Sequence, residues 1–279
     1  DLFCIMSTPT DHGMGLSRIT WKSANEYDYS QLDERMDMVL AGNSNAYVIP
    51  RLYLAAPKWW TDKHPDDVVT YDPGDGKPLV FAMQGAKPAP SWASEAWRKD
   101  TANALRKYIT YVETSPYADR IIGYHVASGT TEEWMQWAAN ARLYVDHSPV
   151  NVKKFRIWLA AKYKDDAALA SAWHRPGITL ASAGVPSKVD RMTCKLGTLR
   201  DPQSEQPSID YSLYTSDLVA ETIGFFCSVV KNATKRTKIT GAFYGYVLQL
   251  MGDRQQNAGH LALRKVWDCP DLDFIACPT

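Results

Sequence analysis

Five short, nearly continuous apolar runs recur along this chain, separated by amphipathic stretches, and that alternation limits the fold more than any other feature. The runs are "LFCIMS" (2–7), "AYVIPRLYLAA" (46–56), "RIIGYHVAS" (120–128), "KITGAFYGY" (238–246) and "DLDFIACP" (271–278). A strand apolar at successive positions is buried on both faces, as in a parallel sheet. Pro50 within the second run implies a bulge or an irregular edge. Helices are predicted between the runs. One spans 30–42, with Ser30 as N-cap and Asp33 three residues on, and another spans 94–113. A third follows Ser148-Pro149, with proline at its first position. Further helices are predicted at 165–173, 211–231 and 254–267. Residues 57–92 form a long Pro/Gly/Asp-rich loop of the kind that tends to carry function, and 175–209 read as irregular.

Strands alternating with helices imply a parallel sheet covered by helices, either a (β/α) barrel or an open doubly wound sheet. No G-x-G-x-x-G follows the first strand and there is no P-loop. Polar and aromatic residues gather just after strands, at "SGTTEEW", "APKWW" and "YGY", where a barrel keeps its chemistry. The predicted fold is therefore α/β of the (β/α)8 TIM-barrel type, incomplete, with about five of the eight strand–helix units in a single domain spanning 1–279.

Composition narrows the function. Acidic and basic side chains number 31 each, which argues against a nucleic-acid groove or a polybasic membrane surface. No apolar run approaches the roughly 18 residues of a membrane span. No charged-then-apolar leader follows Asp1, so a signal peptide is expected to be absent or removed. Five widely spaced cysteines without a C-x-x-C argue against a zinc knuckle or dithiol site and suggest buried free thiols. Ten tryptophans and fifteen tyrosines are a heavy aromatic load. Part of it belongs to a core, and part suits the C–H faces of sugars.

The segment "IIGYHVASGTTEEW" (121–134) delivers two acids and an indole at the tip of a buried strand. A carboxyl beside an indole at a partly dry strand end has a reason to stay protonated. Glycoside cleavage needs such a proton donor together with a second carboxylate. The competing interpretation puts Glu132 and Glu133 in the first turn of a helix, where acids favour the dipole.

Taken with "RLYLAAPKWW…HPDD", "FRIWLAAKYKDDAALASAW" (155–173), "DYSLYTSD" (210–217) and "GAFYGY" (241–246), this segment resembles the family 42 glycoside hydrolases. These are β-galactosidases within the clan of retaining (β/α)8-barrel glycosidases. The resemblance implies that "EEW" stands where such enzymes have Asn-Glu-aromatic. Glu133 then serves as general acid/base, and Glu132 replaces the asparagine that binds the sugar 2-hydroxyl. Because of that departure, Glu132 as the acid, with Glu133 on a helix, remains open. The zinc-site cysteines of the family are not matched, so no metal or other cofactor is expected.

Other strand-end residues are candidate substrate contacts. Arg51 within an apolar strand needs an anionic partner, and the resemblance implies that it supports the nucleophile; a core salt bridge is the alternative. His125 reads as a core histidine or a site residue. Tyr244 and Tyr246, two apart on a strand, are expected on one face. Trp59 and Trp60 suit a sugar platform or the loop core, and Trp134 is a candidate sugar contact. Counted against the family's strands, the five runs correspond to the second through sixth. The nucleophile glutamate would then lie beyond Thr279, since neither Asp253 nor Asp271 follows a strand as required. Five parallel strands cannot close a barrel, so the open edges call for the remainder of a longer chain or a second copy. Two functions follow: a retaining glycosidase acting on an oligo- or polysaccharide, β-galactoside by default, or a carbohydrate-binding barrel that has lost the chemistry. An open α/β enzyme of another kind has no motif in its favour.

Overall fold

The computed structural model describes residues 1–83, 85–141, 143–197, 199–246 and 257–277. Its main sheet has five strands, β1 (Leu2–Ser7), β2 (Tyr47–Tyr53), β3 (Gly123–Ala127), β4 (Ile239–Phe243) and β5 (Phe274–Ala276), adjacent in chain order. Every pairing is parallel. Each crossover steps to the next strand in the same direction, which builds a barrel wall; a doubly wound sheet reverses its strand order. The fold is a partial (β/α) barrel of the TIM type.

Pro50 sits inside β2 opposite Ile5, and the pairing with β1 runs unbroken from Leu2–Tyr47 to Ser7–Leu52. β2 is neither an edge nor bulged there. On its other side the ladder to β3 covers only Arg51 to Tyr53, beyond an isolated bridge at Val48–Ile121. The missing proline N–H falls in that gap.

Around the strands run α1 (Ser30–Gly42), α2 (Lys58–Lys63), α3 (Glu95–Glu113), α4 (Pro149–Tyr163), α5 (Asp166–Trp173), α6 (Lys188–Met192), α7 (Pro202–Ala233) and α8 (Leu263–Trp267). Ser94, Ser148 and Asp165 cap α3, α4 and α5 through their side chains. At α1 the predicted Ser30 cap is replaced. The carboxylate of Asp28 accepts from the Ser30 backbone N–H and hydroxyl, while Asp33 accepts from Tyr111 and Tyr117. α7 begins nine residues before the predicted start, inside the stretch read as irregular; Asp201 caps it and Pro202 occupies its first turn. Residues 254–256 of the predicted last helix, and Asp253, lie outside the described residues.

α7 is the central helix. Its most apolar 18-residue window has a mean hydropathy of 1.3, enough by length and composition to cross a membrane, yet 67% of that window is buried within the fold. It packs on α3 and against β3 and β4 of the sheet, and its apolar face shares one core with Val126 and Ala242. Of the five cysteines, all free, Cys227 on this helix is the one that is buried.

The distinctive 155–173 segment has a structural explanation. Asp210, fully buried on α7, accepts from Lys162 Nζ at 2.5 Å, Tyr163 Oη at 2.7 Å, Trp173 Nε1 at 2.7 Å and Gln206 Nε2 at 2.8 Å. One carboxylate therefore fastens α4 and α5 to α7. Asp210→Ala removes the acceptor that all four donors share, of which Trp173 is buried, Tyr163 and Gln206 are half-buried and Lys162 reaches water. Urea unfolding should register a loss of about 3 kcal/mol, and an unchanged midpoint would show the hub to be dispensable.

Candidate active site

β3 ends at Ala127, and the chain turns back on itself through 128–135. The Trp134 N–H donates to Ser128 O at 2.9 Å and the Thr130 N–H to Met135 O at 3.0 Å. Thr131, Glu132 and Trp134 hold φ of 60°, 70° and 57°, a left-handed region that costs about 1–2 kcal/mol per residue. The acids thus sit in a strained turn, which excludes the first-turn-of-a-helix alternative. Gly129 is required twice over: its φ is +75°, and an added Cβ would lie 2.3 Å from Met135 O.

Trp134 holds the turn. Its indole is 0% exposed, donates through Nε1 to Val126 O at 2.9 Å, and packs against Trp92 and Phe226 with centroids 5.6 and 6.4 Å away. The expected sugar contact at Trp134 is instead a plug beneath the carboxylates.

Glu132 is 4% exposed and meets donors at both oxygens. His12 Nε2 lies 2.9 Å from Oε1, and Arg51 Nε lies 2.6 Å from Oε2. The Arg51 Nε–H does not point along that short line, so the contact is an ion pair rather than an aligned hydrogen bond. Met14 N–H donates to His12 Nδ1 at 3.2 Å, which fixes the proton of the neutral ring on Nε2 and makes Glu132 the acceptor. His12 stacks on Tyr53 at 4.4 Å, and Tyr53 Oη donates to Gly129 O. The loop bearing His12 is pinned by Asp11, whose buried carboxylate pairs with Lys87 Nζ at 2.8 Å. Burial raises the pKa of Asp11, and the Lys87 hydrogen bond partly offsets this.

Glu133 is partly exposed. Its Oε2 accepts from Thr131 Oγ1 at 2.5 Å, and Tyr246 stands near enough to feel its charge. Burial, followed by the Glu133 charge, raises the Tyr246 pKa strongly. Behind Tyr246 stands His260, 1% exposed, whose Nδ1 accepts from the Tyr246 N–H at 3.2 Å. Its pKa is lowered to about 4 by burial, against the pull of the Trp134 and Glu133 backbone carbonyls. His125 lies in register with Arg51 on β2 and Gly241 on β4. Burial, then the neighbouring Arg51, lower its pKa to about 3.

The structure therefore gathers Glu132, Glu133, Arg51, His125 and Tyr246. It adds His12, Tyr53 and His260, which the sequence did not single out; the one available signal was Asp11-His12-Gly13 just after the first strand. Tyr244 and Tyr246 do not share a side. β4 stops at Phe243, and Gly245 takes φ +93°. Tyr244 consequently turns into the main core, stacks on His260 at 4.4 Å and donates to Gly259 O. Trp60 is core, bonded through Nε1 to Asp100, and Trp59 packs edge-on to Trp21 at 4.8 Å; neither contacts the carboxylate cluster. Among the described residues, no group of three or more His, Cys, Asp and Glu side chains is placed to hold a metal ion.

A partly exposed carboxyl at the C-terminal end of a strand in a partial TIM barrel lies where barrel enzymes keep their chemistry. The profile of the glycoside hydrolase 42 family, described as beta-galactosidase, matches residues 20–273. The chain belongs to that family. A beta-galactosidase of the archaeon Halorubrum lacusprofundi is 24% identical over 221 residues, 78% of this chain and 28% of its own length. The crystal structure of beta-galactosidase from Bacillus circulans sp. alkalophilus superposes with a TM-score of 0.65 at 17% identity, covering 98% of this chain and 35% of that one. The catalytic domain of beta-amylase from Paenibacillus polymyxa gives 0.72 at 14% identity, covering 99% and 69%. The chain thus spans about a third of the length of the two beta-galactosidases.

The buried histidines make acid stability a test of this geometry. Unfolded histidine takes up a proton near pH 6.5, whereas His125 resists until about pH 3 and His260 until about pH 4. Their contribution is complete above pH 6.5 and is lost progressively as the pH falls below it. His125 alone should remove about 2 kcal/mol between pH 7.5 and 5. Urea midpoints at the two pH values should show that loss in the wild type and a smaller one in His125→Leu; equal losses would contradict the buried placement.

Proposed function

We propose that this chain carries the acid/base half of a retaining β-galactosidase-type glycosidase, with Glu133 as the general acid/base and residues 1–279 acting as one barrel-type domain. The observation that carries this proposal is the contrast between the two adjacent acids. Glu132 is sealed and engaged at both oxygens, whereas Glu133 is partly exposed and held by the Thr131 hydroxyl, which permits proton exchange. A reachable carboxyl can protonate a departing glycosidic oxygen and later take a proton from water. Glu132, Arg51 and His12 then fix the turn so that Glu133 keeps its place. The printed names of the relatives support a β-galactoside as substrate. Retention also needs a nucleophilic carboxylate about 5–5.5 Å from the acid, and we assign it to a glutamate beyond Thr279.

One observation favours a binding protein without turnover. Where the resemblance implies an asparagine on the sugar 2-hydroxyl, Glu132 is turned inward onto His12 and Arg51.

Glu133→Gln in the full natural polypeptide separates the two functions. With an aryl β-galactoside bearing a poor leaving group, kcat should fall by about 10²–10⁴. With a dinitrophenyl leaving group, which needs no protonation, the first step should be largely spared. A wild type without turnover that binds galactosides as well as Glu133→Gln would support the binding function. Turnover unaffected by the substitution would remove Glu133 from the mechanism.

A further inference from the structure

Away from the strand ends, the hairpin formed by Trp21–Ser23 and Glu26–Tyr27, helix α2 and the outer face of α3 enclose a cleft of about 510 Å³. That volume lies within the range of small-molecule sites. None of its lining residues belongs to the Glu132–Glu133 cluster. Its aromatic side is an ordered set. The rings of Trp21 and Tyr27 are parallel to within 3° at 6.3 Å, and Trp59 stands at 86° to Trp21 at 4.8 Å. The Trp59 indole N–H is tied to Trp21 O at 3.1 Å, which fixes the ring.

The opposite side is polar. Asn103, Arg106 and Lys107, all exposed on α3, line it. Lys107 Nζ sits 4.7 Å from the Tyr27 ring centroid, and Lys63 Nζ sits 5.3 Å from that of Trp59. The acid in the wall, Asp100, already accepts from Trp60 Nε1 at 2.9 Å. The cleft therefore joins flat apolar faces to a fringe of donors with excess positive charge.

We propose that this cleft is a second, non-catalytic saccharide site, which holds a segment of polysaccharide and favours one bearing acidic substituents. Aromatic faces match pyranose C–H faces, amide and guanidinium groups match hydroxyls, and the cationic rim matches sulfate or carboxylate. The choice of sugar as ligand rests on the glycosidase function proposed above, whereas the location rests on the cleft itself. Such a site would keep a polymer near the strand-end carboxylates while its end is processed.

The test is affinity electrophoresis of the full natural polypeptide carrying Glu133→Gln, which prevents digestion of the matrix. Native gels would contain neutral galactan, sulfated galactan or no polysaccharide. Retardation is expected in both galactans and should be greater in the sulfated one. Adding Trp59→Ala should weaken binding by about tenfold. Asn103→Ala and Lys107→Ala, at exposed helix positions that do not threaten folding, should weaken it by a few-fold. Trp59→Ala removes no charge and leaves the strand-end cluster intact, so retardation equal to that of Glu133→Gln alone would place the binding outside the cleft and would overturn the proposal, as would the absence of retardation in either galactan. The wild-type turnover assay separates the two proposals. Turnover lost in Glu133→Gln without retardation sinks the cleft alone, and retardation with undiminished turnover sinks the catalytic assignment alone.

Discussion

The carboxylate of Glu132 ties together segments that the sheet alone would leave independent. One oxygen meets His12 from the loop after β1, the other meets Arg51 from within β2, and the backbone of Glu132 belongs to the turn after β3. The side chains of Glu132 and His12 are almost wholly buried and that of Arg51 is three-quarters so. Removing any one leaves a polar or charged group uncompensated at low dielectric, which is far more costly than losing a surface pair. The three strand ends are therefore fixed relative to one another, and Glu133 inherits its position from that arrangement.

The turn itself is unfavourable in isolation. Three of the four residues 131–134 lie in the left-handed region, and no glycine among them relieves the steric cost. The opposing term is the burial of Trp134, on the order of 2–3 kcal/mol or more for so large a ring, together with its bond to Val126 O. Backbone strain maintained by surrounding packing recurs at functional sites because it aims side chains that relaxed backbone would not. Here it sends two consecutive carboxyls to different surroundings, one sealed and one accessible.

The segment that most resembles the family, 155–173, lies away from those carboxylates. Its Lys162, Tyr163 and Trp173 converge on Asp210 and hold α4, α5 and α7 together behind the sheet. The most distinctive part of the resemblance thus marks scaffold, whereas one of the two partners of Glu132, His12, came from a loop with little pattern of its own. Asp11, His12 and Gly13 form an unremarkable tripeptide until the fold brings His12 to a glutamate 120 positions away.

Continuous apolar runs and 3.6-residue periodicity are local signals, and they sufficed for the parallel α/β class, five strands and most helices, because burial on both faces of a sheet dictates residue type position by position. The cap at Ser148 was equally legible, since it involves residues three apart, whereas the one read at Ser30 was not formed. The inward turn of Tyr244, the core position of Trp134 and the partners of Glu132 were not legible. Each depends on contacts between residues distant in sequence, or on one backbone torsion, such as that of Gly245, which breaks a period of two. The acids at 132 and 133 are chemically identical in the sequence. Only the packing of three strand ends and one buried indole makes the first an anchor and leaves the second accessible.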